Sequence, residues 1–513
     1  MRPLLLLIAL TTALRLAFGH AIGLGVDESY MVSAGRTLSL GYFDHPPAAW
    51  WLSWASTHLF GTEAPLAARL PFILLFALTT WLIARIAHDL AGERAGFWAA
   101  VTLNLSPVFG VTGGSWVLPD GPLDCALAGA ALCLTRALTA RPPAAWAYWS
   151  GAGICAGLAI FSKYSAVLTI AGAFLFLVFT PSHRAWLRRP HPYAAAALAL
   201  IVFAPVIAWN ATHEWASFAF QGARAGGFRF RPWLTLTTLA GEAAFVLPWF
   251  WLPMILLGLR AAGIAVWPDR SLPPSWPGLA AAHPNAQAEG APSAAAPNGT
   301  PRLLAFLAAP PIVLFALIAA TSSQRVLFHW AAPGYLMLFP LLGCWTAANI
   351  HRPFVRRTIA ATATLTLLAA AIVTAQIRLD LLGPFMPAKD PTAEGLDWTS
   401  LRDDLSSRGL LPPGVVVGVP NWRDAGKIAR ALGPGVETIC LNEDCRNFGF
   451  ASPAKNRAGA TILILAVGST IGPSLSGQFE RIEPLAASAV VLRGRTVLPI
   501  AVASGIGLKH TSP

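Results

Sequence analysis

The chain has 513 residues, of which 55% are hydrophobic and 12% charged, with 20 Trp, 42 Pro and a formal net charge of +12. A soluble domain averages about 25% charged residues, so this composition and a mean hydropathy of +0.57 exclude an ordinary soluble domain and identify an integral membrane protein. The positive charge is not a nucleic-acid footprint, because the Arg residues sit in short segments between apolar runs, the pattern of membrane topology.

A spanning helix needs about 20 mostly apolar residues. That ruler predicts spans near 3–24, 66–88, 95–113, 117–138, 145–162, 165–180, 193–209, 234–260, 303–321, 327–347 and 358–377, about eleven in all. The first run has the short basic start of a signal peptide, but no Ala-x-Ala-like cleavage site follows, so it is read as an uncleaved span. Directly after it come the adjacent acids Asp27 and Glu28, then Gly41-Tyr42-Phe43-Asp44-His45-Pro46-Pro47. Ionisable groups next to hydrocarbon cost several kcal/mol to isolate and mark functional sites. Residues 48–60 are too short to span and carry Trp50, Trp51 and Trp54. They read as a helix lying in the membrane interface that shields the acidic pair.

Orientation follows from the Lys/Arg bias of short loops. With the N-terminus inside, the cytoplasmic loops collect Arg85, Arg94, Arg136, Arg141, Arg184, Arg188, Arg189, Arg260, Arg270, Arg302, Arg352, Arg356 and Arg357. The outer side then holds Asp27, Glu28, His45, Asp120 and the chain after the last span. The first outer loop is 25–65. Residues 268–301, rich in Pro, Ala, Ser and Asn without apolar periodicity, are expected to be a disordered cytoplasmic loop.

The domain expectation is a transmembrane region over 1–379 and a small α/β domain over 380–513. In the latter, β-rich runs at 415–419, 437–441, 461–465 and 489–492 alternate with a helical candidate at 422–432. Four cysteines (Cys125, Cys133, Cys155, Cys344) fall in apolar segments and read as small core residues. Cys440 and Cys445 read either as a short-loop disulfide on an oxidising side or as two free thiols. Asp444 and Arg446 beside them read as a solvated turn.

At this point the sequence resembles a known family. Asp27-Glu28-Ser29-Tyr30, the Gly41 to Pro47 stretch, Pro119-Asp120-Gly121-Pro122-Leu123, Gly157-Leu158-Ala159-Ile160-Phe161-Ser162-Lys163-Tyr164 and His329-Trp330-Ala331-Ala332-Pro333 look like the bacterial branch of the protein O-mannosyltransferase clan, which includes the lipid A aminoarabinose transferases. The resemblance implies a GT-C type polytopic α-helical membrane protein that transfers a sugar from a polyprenyl-phosphate donor to an acceptor hydroxyl at the periplasmic face of a bacterial inner membrane. The acceptor is then a glycolipid or lipopolysaccharide, a polysaccharide, or protein Ser/Thr.

Inverting transfer needs a carboxylate to take the hydroxyl proton, and the matching Asp27 is assigned that role, with Glu28 and Asp120 beside it in the catalytic set. Two adjacent carboxylates also disfavour joint ionisation, which would raise one of them into a useful range. Tyr30, His45, Lys163, Tyr164, Arg325 and His329 are the substrate-binding candidates, the cationic ones for the leaving phosphate. His45 stands where such relatives often carry Lys. Asp120 also reads as an ordinary helix start, Asp124 is a weaker acidic candidate, and Arg224, Arg229 and Arg231 are further cationic ones. No metal cofactor is required by this chemistry, although a divalent cation on Asp27, Glu28 and Asp120 is compatible with it. No phosphate-cradling Gly-rich fingerprint points to a nucleotide donor. A lipid-sugar transporter or flippase is the alternative class, against which the acidic pair lies in a loop and no internal repeat appears.

Overall fold

The computed structural model describes residues 1–141, 143–223, 227–264, 299–323, 326–387, 390–468 and 470–509. Backbone contacts divide the chain into two compact units. One comprises Met1–Leu14, His45–Ala48 and Phe72–Thr366; the other comprises Arg15–Asp44, Ala49–Pro71 and Leu367–Pro513. Residues 15–44 and 49–71 thus group with the C-terminal region, although sequence reading assigned them to the membrane region.

The first unit is helical. Among the described residues of the whole chain, six helices are long and apolar enough to cross a membrane, or up to eight when each of two sharply bent helix pairs counts as one span. Each predicted span coincides with helix over most of its length, with differences at three places. The 41-residue helix Pro65–Leu105 covers the predicted span 66–88 and the first part of 95–113, which are separated by the non-helical pair Ala91 and Gly92, where Gly92 has φ 81°; the rest of 95–113 ends in the π-helical turn Val108–Gly113. The predicted span 234–260 is broken: Trp233–Val246 and Pro248–Ala262 meet at 111°, because Pro248 has no N–H to continue the ladder and Leu247 sits at φ 87°. The predicted span 327–347 is likewise split into Ala332–Leu336 and Phe339–Asn349.

Small residues let these helices approach closely. Gly153 and Gly157, four apart on helix Ala144–Ser162, face the backbone of helix His191–Thr212; a Cβ on Gly153 would lie 2.4 Å from the Ala195 carbonyl oxygen. Of the expected disordered loop, residues 268–298 lie outside the described residues, while Thr300 and Pro301 open helix Thr300–Thr321, with Pro in the first turn where its missing N–H costs nothing.

The second unit carries a five-stranded mixed sheet: β1 (Val416–Val419), β2 (Glu437–Cys440), β3 (Ile462–Val467), β4 (Phe479–Leu492) and β5 (Arg495–Leu508), in the order β2-β1-β3-β5-β4. β1 is parallel to both β2 and β3, and β5 is antiparallel to β3 and β4. Four strands were expected. β5 and most of β4 were missed, although Arg493 and Gly494 (φ 49° and 84°) make the two-residue turn that joins them.

Helix Trp422–Leu432 falls where predicted. Asn421 caps it, its side chain accepting from the Asp424 amide at 3.0 Å. Gly426 on this helix packs directly on the backbone of Tyr30 in helix Val26–Ala34; a Cβ there would meet Tyr30 N and Cα at 2.8 Å. The interface helix expected at 48–60 forms as Ala48–Phe60, but Trp50 is fully buried. It stacks on Tyr42 at 4.4 Å and meets Tyr30 edge-on at 5.3 Å, so it is a core residue rather than a bilayer anchor. Cys440 and Cys445 are joined in a disulfide.

Candidate active site

The acidic pair divides by environment. Both residues lie in the first turn of helix Val26–Ala34, whose N-terminal dipole favours negative charge. Successive residues on a helix point about 100° apart, so one carboxylate can face in while the other faces out. Glu28 is 2% exposed and grips Arg69, with Arg69 Nε to Oε1 at 2.7 Å and Nη2 to Oε2 at 2.5 Å. Its Oε2 also accepts the Gly25 amide at 2.8 Å, the return arm of a capping arrangement. Arg69 spends its remaining donors on the carbonyls of Gly19, Ile22 and Gly23, at 3.0, 2.9 and 2.8 Å. Glu28 therefore fixes the turn that presents its neighbour, and its carboxylate is occupied.

Asp27, by contrast, is exposed. Surrounding protein strips part of its hydration and raises its carboxyl above the ordinary range, while Arg423 and Arg446 oppose that shift. The adjacent Glu28 is the smallest of the contributions. The neighbouring carboxylate does push Asp27 upward as expected, but loss of hydration dominates.

Beside this turn lies a buried network that sequence reading assigned otherwise. The Tyr30 hydroxyl donates to Asp44 Oδ1 at 3.1 Å and accepts the Asn447 amide at 2.9 Å. Tyr30 is 2% exposed and its hydroxyl is engaged by these two partners. Asp44 is buried, which pushes its carboxyl up to about 6 against the opposing pull of Arg446 and Tyr30. Arg446 pairs with Asp44 at 3.5 Å and with Asp444 at 3.0 Å, and its guanidinium lies 4.7 Å from the Trp422 ring centre. The solvated turn expected there is instead anchored, because the disulfide and the Trp422 face hold Arg446 in place. Lys427 is buried as well, donating to the carbonyls of Leu24, Glu394 and Leu396 at 2.7, 3.1 and 2.8 Å.

The first unit holds a second cluster. Asp120 opens helix Asp120–Ala137 and accepts from Lys163 Nζ at 2.8 Å, with both side chains largely buried. His45 and His329 lie within electrostatic range of the same carboxylate. Lys163 ends helix Ala144–Ser162 in an extended conformation that turns the chain away. The one-turn-on candidate Asp124 is buried against Gly113, the end of the π-helical turn Val108–Gly113. Such turns recur at functional sites.

A cavity is lined by His45, Lys163, Tyr164, Ser165, Gln221, Phe315, Ile318 and Trp330. Tyr164 is held by Ser217 at 2.7 Å, and the buried Ser165 hydroxyl has no partner among the described residues. Lys163, Tyr164 and His45 thus come together as sequence predicted, with Asp120 and His329 adjoining. Arg224 and Arg325 lie outside the described residues; Arg231 donates to the Ser322 carbonyl at 3.2 Å. Among the described residues no three His, Cys, Asp or Glu side chains are grouped so as to hold a metal ion.

Arg69, Asp44 and Arg446 are the residues of this region that sequence reading missed. Arg69 carried a usable signal: a basic residue at the end of a span that the charge alternation assigns to the outer face.

Residues 44–209 match the family model described as dolichyl-phosphate-mannose-protein mannosyltransferase. The lipid A galacturonosyltransferase RgtD of Rhizobium johnstonii is 28% identical over 189 residues, 37% of this chain and 39% of that protein, so the match spans about two fifths of the curated relative. The crystal structure of ArnT from Cupriavidus metallidurans bound to undecaprenyl phosphate shares the fold across 97% of both chains, with a TM-score of 0.62 and 15% identity. The apo form of the same protein gives a TM-score of 0.58 at 13% identity with the same coverage. The chain thus has the polytopic helical fold of ArnT along nearly its whole length and is similar over residues 44–209 to the dolichyl-phosphate-mannose-protein mannosyltransferase family.

Proposed function

We propose that the protein is an inverting glycosyltransferase that moves a sugar from a polyprenyl-phosphate donor to a hydroxyl of a glycolipid, of lipopolysaccharide type, at the periplasmic face of a bacterial inner membrane. Its N-terminus is then cytoplasmic and its C-terminal region periplasmic. The observation that carries the reading is the division of the acidic pair: Glu28 is consumed by Arg69, and Asp27 stands exposed with a raised affinity for protons. A group poised this way suits a general base.

In the proposed step the acceptor oxygen attacks the anomeric carbon as Asp27 takes its proton. The bond from that carbon to the phosphate oxygen breaks, and the polyprenyl phosphate leaves with the electron pair. The charge gathering on that phosphate needs preorganised cations; Lys163 and the His45 and His329 imidazoles are the proposed contacts, with Asp120 holding Lys163 in place. Tyr164 is proposed to line the donor cavity. The lipid A galacturonosyl transfer for which RgtD is named and the undecaprenyl phosphate bound by ArnT support the glycolipid acceptor and lipid-linked donor. The family description itself favours a second reading, transfer to protein hydroxyls.

Mass spectrometry of envelope lipids, glycans and periplasmic proteins from cells with and without the gene tests the proposal. Loss of one sugar from a glycolipid supports it, and loss from a protein supports the second reading. An unchanged glycan profile with polyprenyl-linked sugars altered only in sidedness refutes both in favour of a transporter.

A further inference from the structure

The first unit contains a second cavity, walled almost wholly by apolar side chains of six helices, among them Leu127, Trp149, Phe176, Tyr193 and Leu307. It lies at the other end of the bundle from Asp120 and Lys163. Trp149 stands 14 positions before Lys163, which follows the end of the same helix, about 21 Å at the helical rise, and Leu127, Ala131 and Leu134 line the cavity from the helix that Asp120 opens.

This end carries a basic rim. Arg184, Arg188 and Arg189 are exposed in and just after the short helix Pro181–Arg188, whose Leu187 lines the cavity, as do Pro192 and Tyr193 beyond it. The Arg189 guanidinium lies over the Trp186 ring at 4.7 Å, and Trp186 packs on the cavity-lining Trp149 at 5.4 Å. Arg302 adjoins the cavity-lining Leu303 and lies 5.6 Å over the Phe306 ring, and its buried Nε has no partner among the described residues. His191, next to Pro192, is 8% exposed with both ring nitrogens unpartnered among the described residues.

An apolar slot beneath a basic rim, in which the buried Arg302 Nε is unpartnered among the described residues, matches the two ends of one molecule. We propose that this is a binding site for an anionic phospholipid, its acyl chain in the cavity and its phosphate on Arg189 and Arg302. Basic pockets between membrane helices recognise such headgroups by charge, while the chain supplies apolar contact that a zwitterionic lipid supplies equally. The site is independent of the sugar-transfer reading.

Native mass spectrometry of the purified full-length protein titrated with phosphatidylglycerol or phosphatidylcholine tests it. The anionic lipid should be retained about tenfold or more in preference, the scale expected of two arginines near a membrane surface. Arg189→Gln with Arg302→Gln should erase that preference without changing elution on gel filtration. Ala196→Phe, which fills the cavity from helix His191–Thr212, should lower retention of both lipids. Equal retention of the two lipids by the wild type, a preference that survives the double arginine change, or displacement of the phospholipid by polyprenyl phosphate at equal concentration would each overturn the proposal.

Discussion

Replacing Arg69 by Met separates the two carboxylates of the acidic pair experimentally. Arg69 is 1% exposed and satisfies both oxygens of Glu28 and three backbone carbonyls. Met fills much of the volume but leaves a buried carboxylate and three carbonyls without these donors. Breaking one side of a buried ion pair costs about 3–5 kcal/mol, a large share of the roughly 5–15 kcal/mol that holds a protein folded. At about 2–4 °C per kcal/mol for a unit of this size, the melting temperature in detergent should fall by roughly 6–20 °C.

The double variant Arg69→Met, Glu28→Met removes both charges together and should recover a substantial part of the loss, because the larger penalty lies in the stranded charge rather than in the absence of the pair. Fluorescence-detected gel filtration after heating reads all three proteins. If Arg69→Met alone shifts the midpoint by less than about 2 °C, or if the double variant melts no higher than Arg69→Met alone, Glu28 is not the buried anchor described and its assignment as a positioning residue falls.

Asp27→Asn keeps shape and hydrogen bonding but removes the proton acceptor; sugar transfer should fall about 10²–10⁴-fold with the melting temperature unchanged, and near wild-type turnover would pass the role elsewhere. Lys163→Met should weaken donor use, seen as a raised KM for the polyprenyl-phosphate sugar and a lower kcat; unaltered kinetics would remove Lys163 from the donor site. Asp44 titrates near 6 when folded, above the ordinary aspartate value of about 3.9. The folded state therefore binds the extra proton between those values, and the stability this contributes is present below about pH 4 and lost as pH rises through 6. Asp44→Asn should flatten that part of the melting-versus-pH curve, and an unchanged slope would show that Asp44 is not its source. Gly426→Ala should destabilise the second unit by about 1–3 kcal/mol, since its Cβ would overlap the Tyr30 backbone at 2.8 Å; a melting temperature equal to wild type would refute that close approach.

Sequence by itself determined the membrane class and the positions of the helices, because apolar runs of fixed length are a one-dimensional signal that the bilayer thickness enforces. It also determined the parallel strands and the helix between them, since Asn421 and Gly433 mark the ends of that helix and β1, β2 and β3 are short β-branched runs. It drew attention to Asp27, Glu28, Asp120, Lys163 and His45 by residue type and order, but not to what each does. That Glu28 is neutralised from 41 positions away by Arg69, and that Tyr30 and Asp44 are tied to Asn447 and Arg446 some 400 positions on, are facts of tertiary structure alone. A carboxylate is a base, an anchor or a solvated charge according to what the fold packs beside it and how far it is dehydrated. Those quantities depend on neighbours remote in the chain, so local pattern could name the candidates and only packing could assign Glu28 to hold the turn while leaving Asp27 exposed.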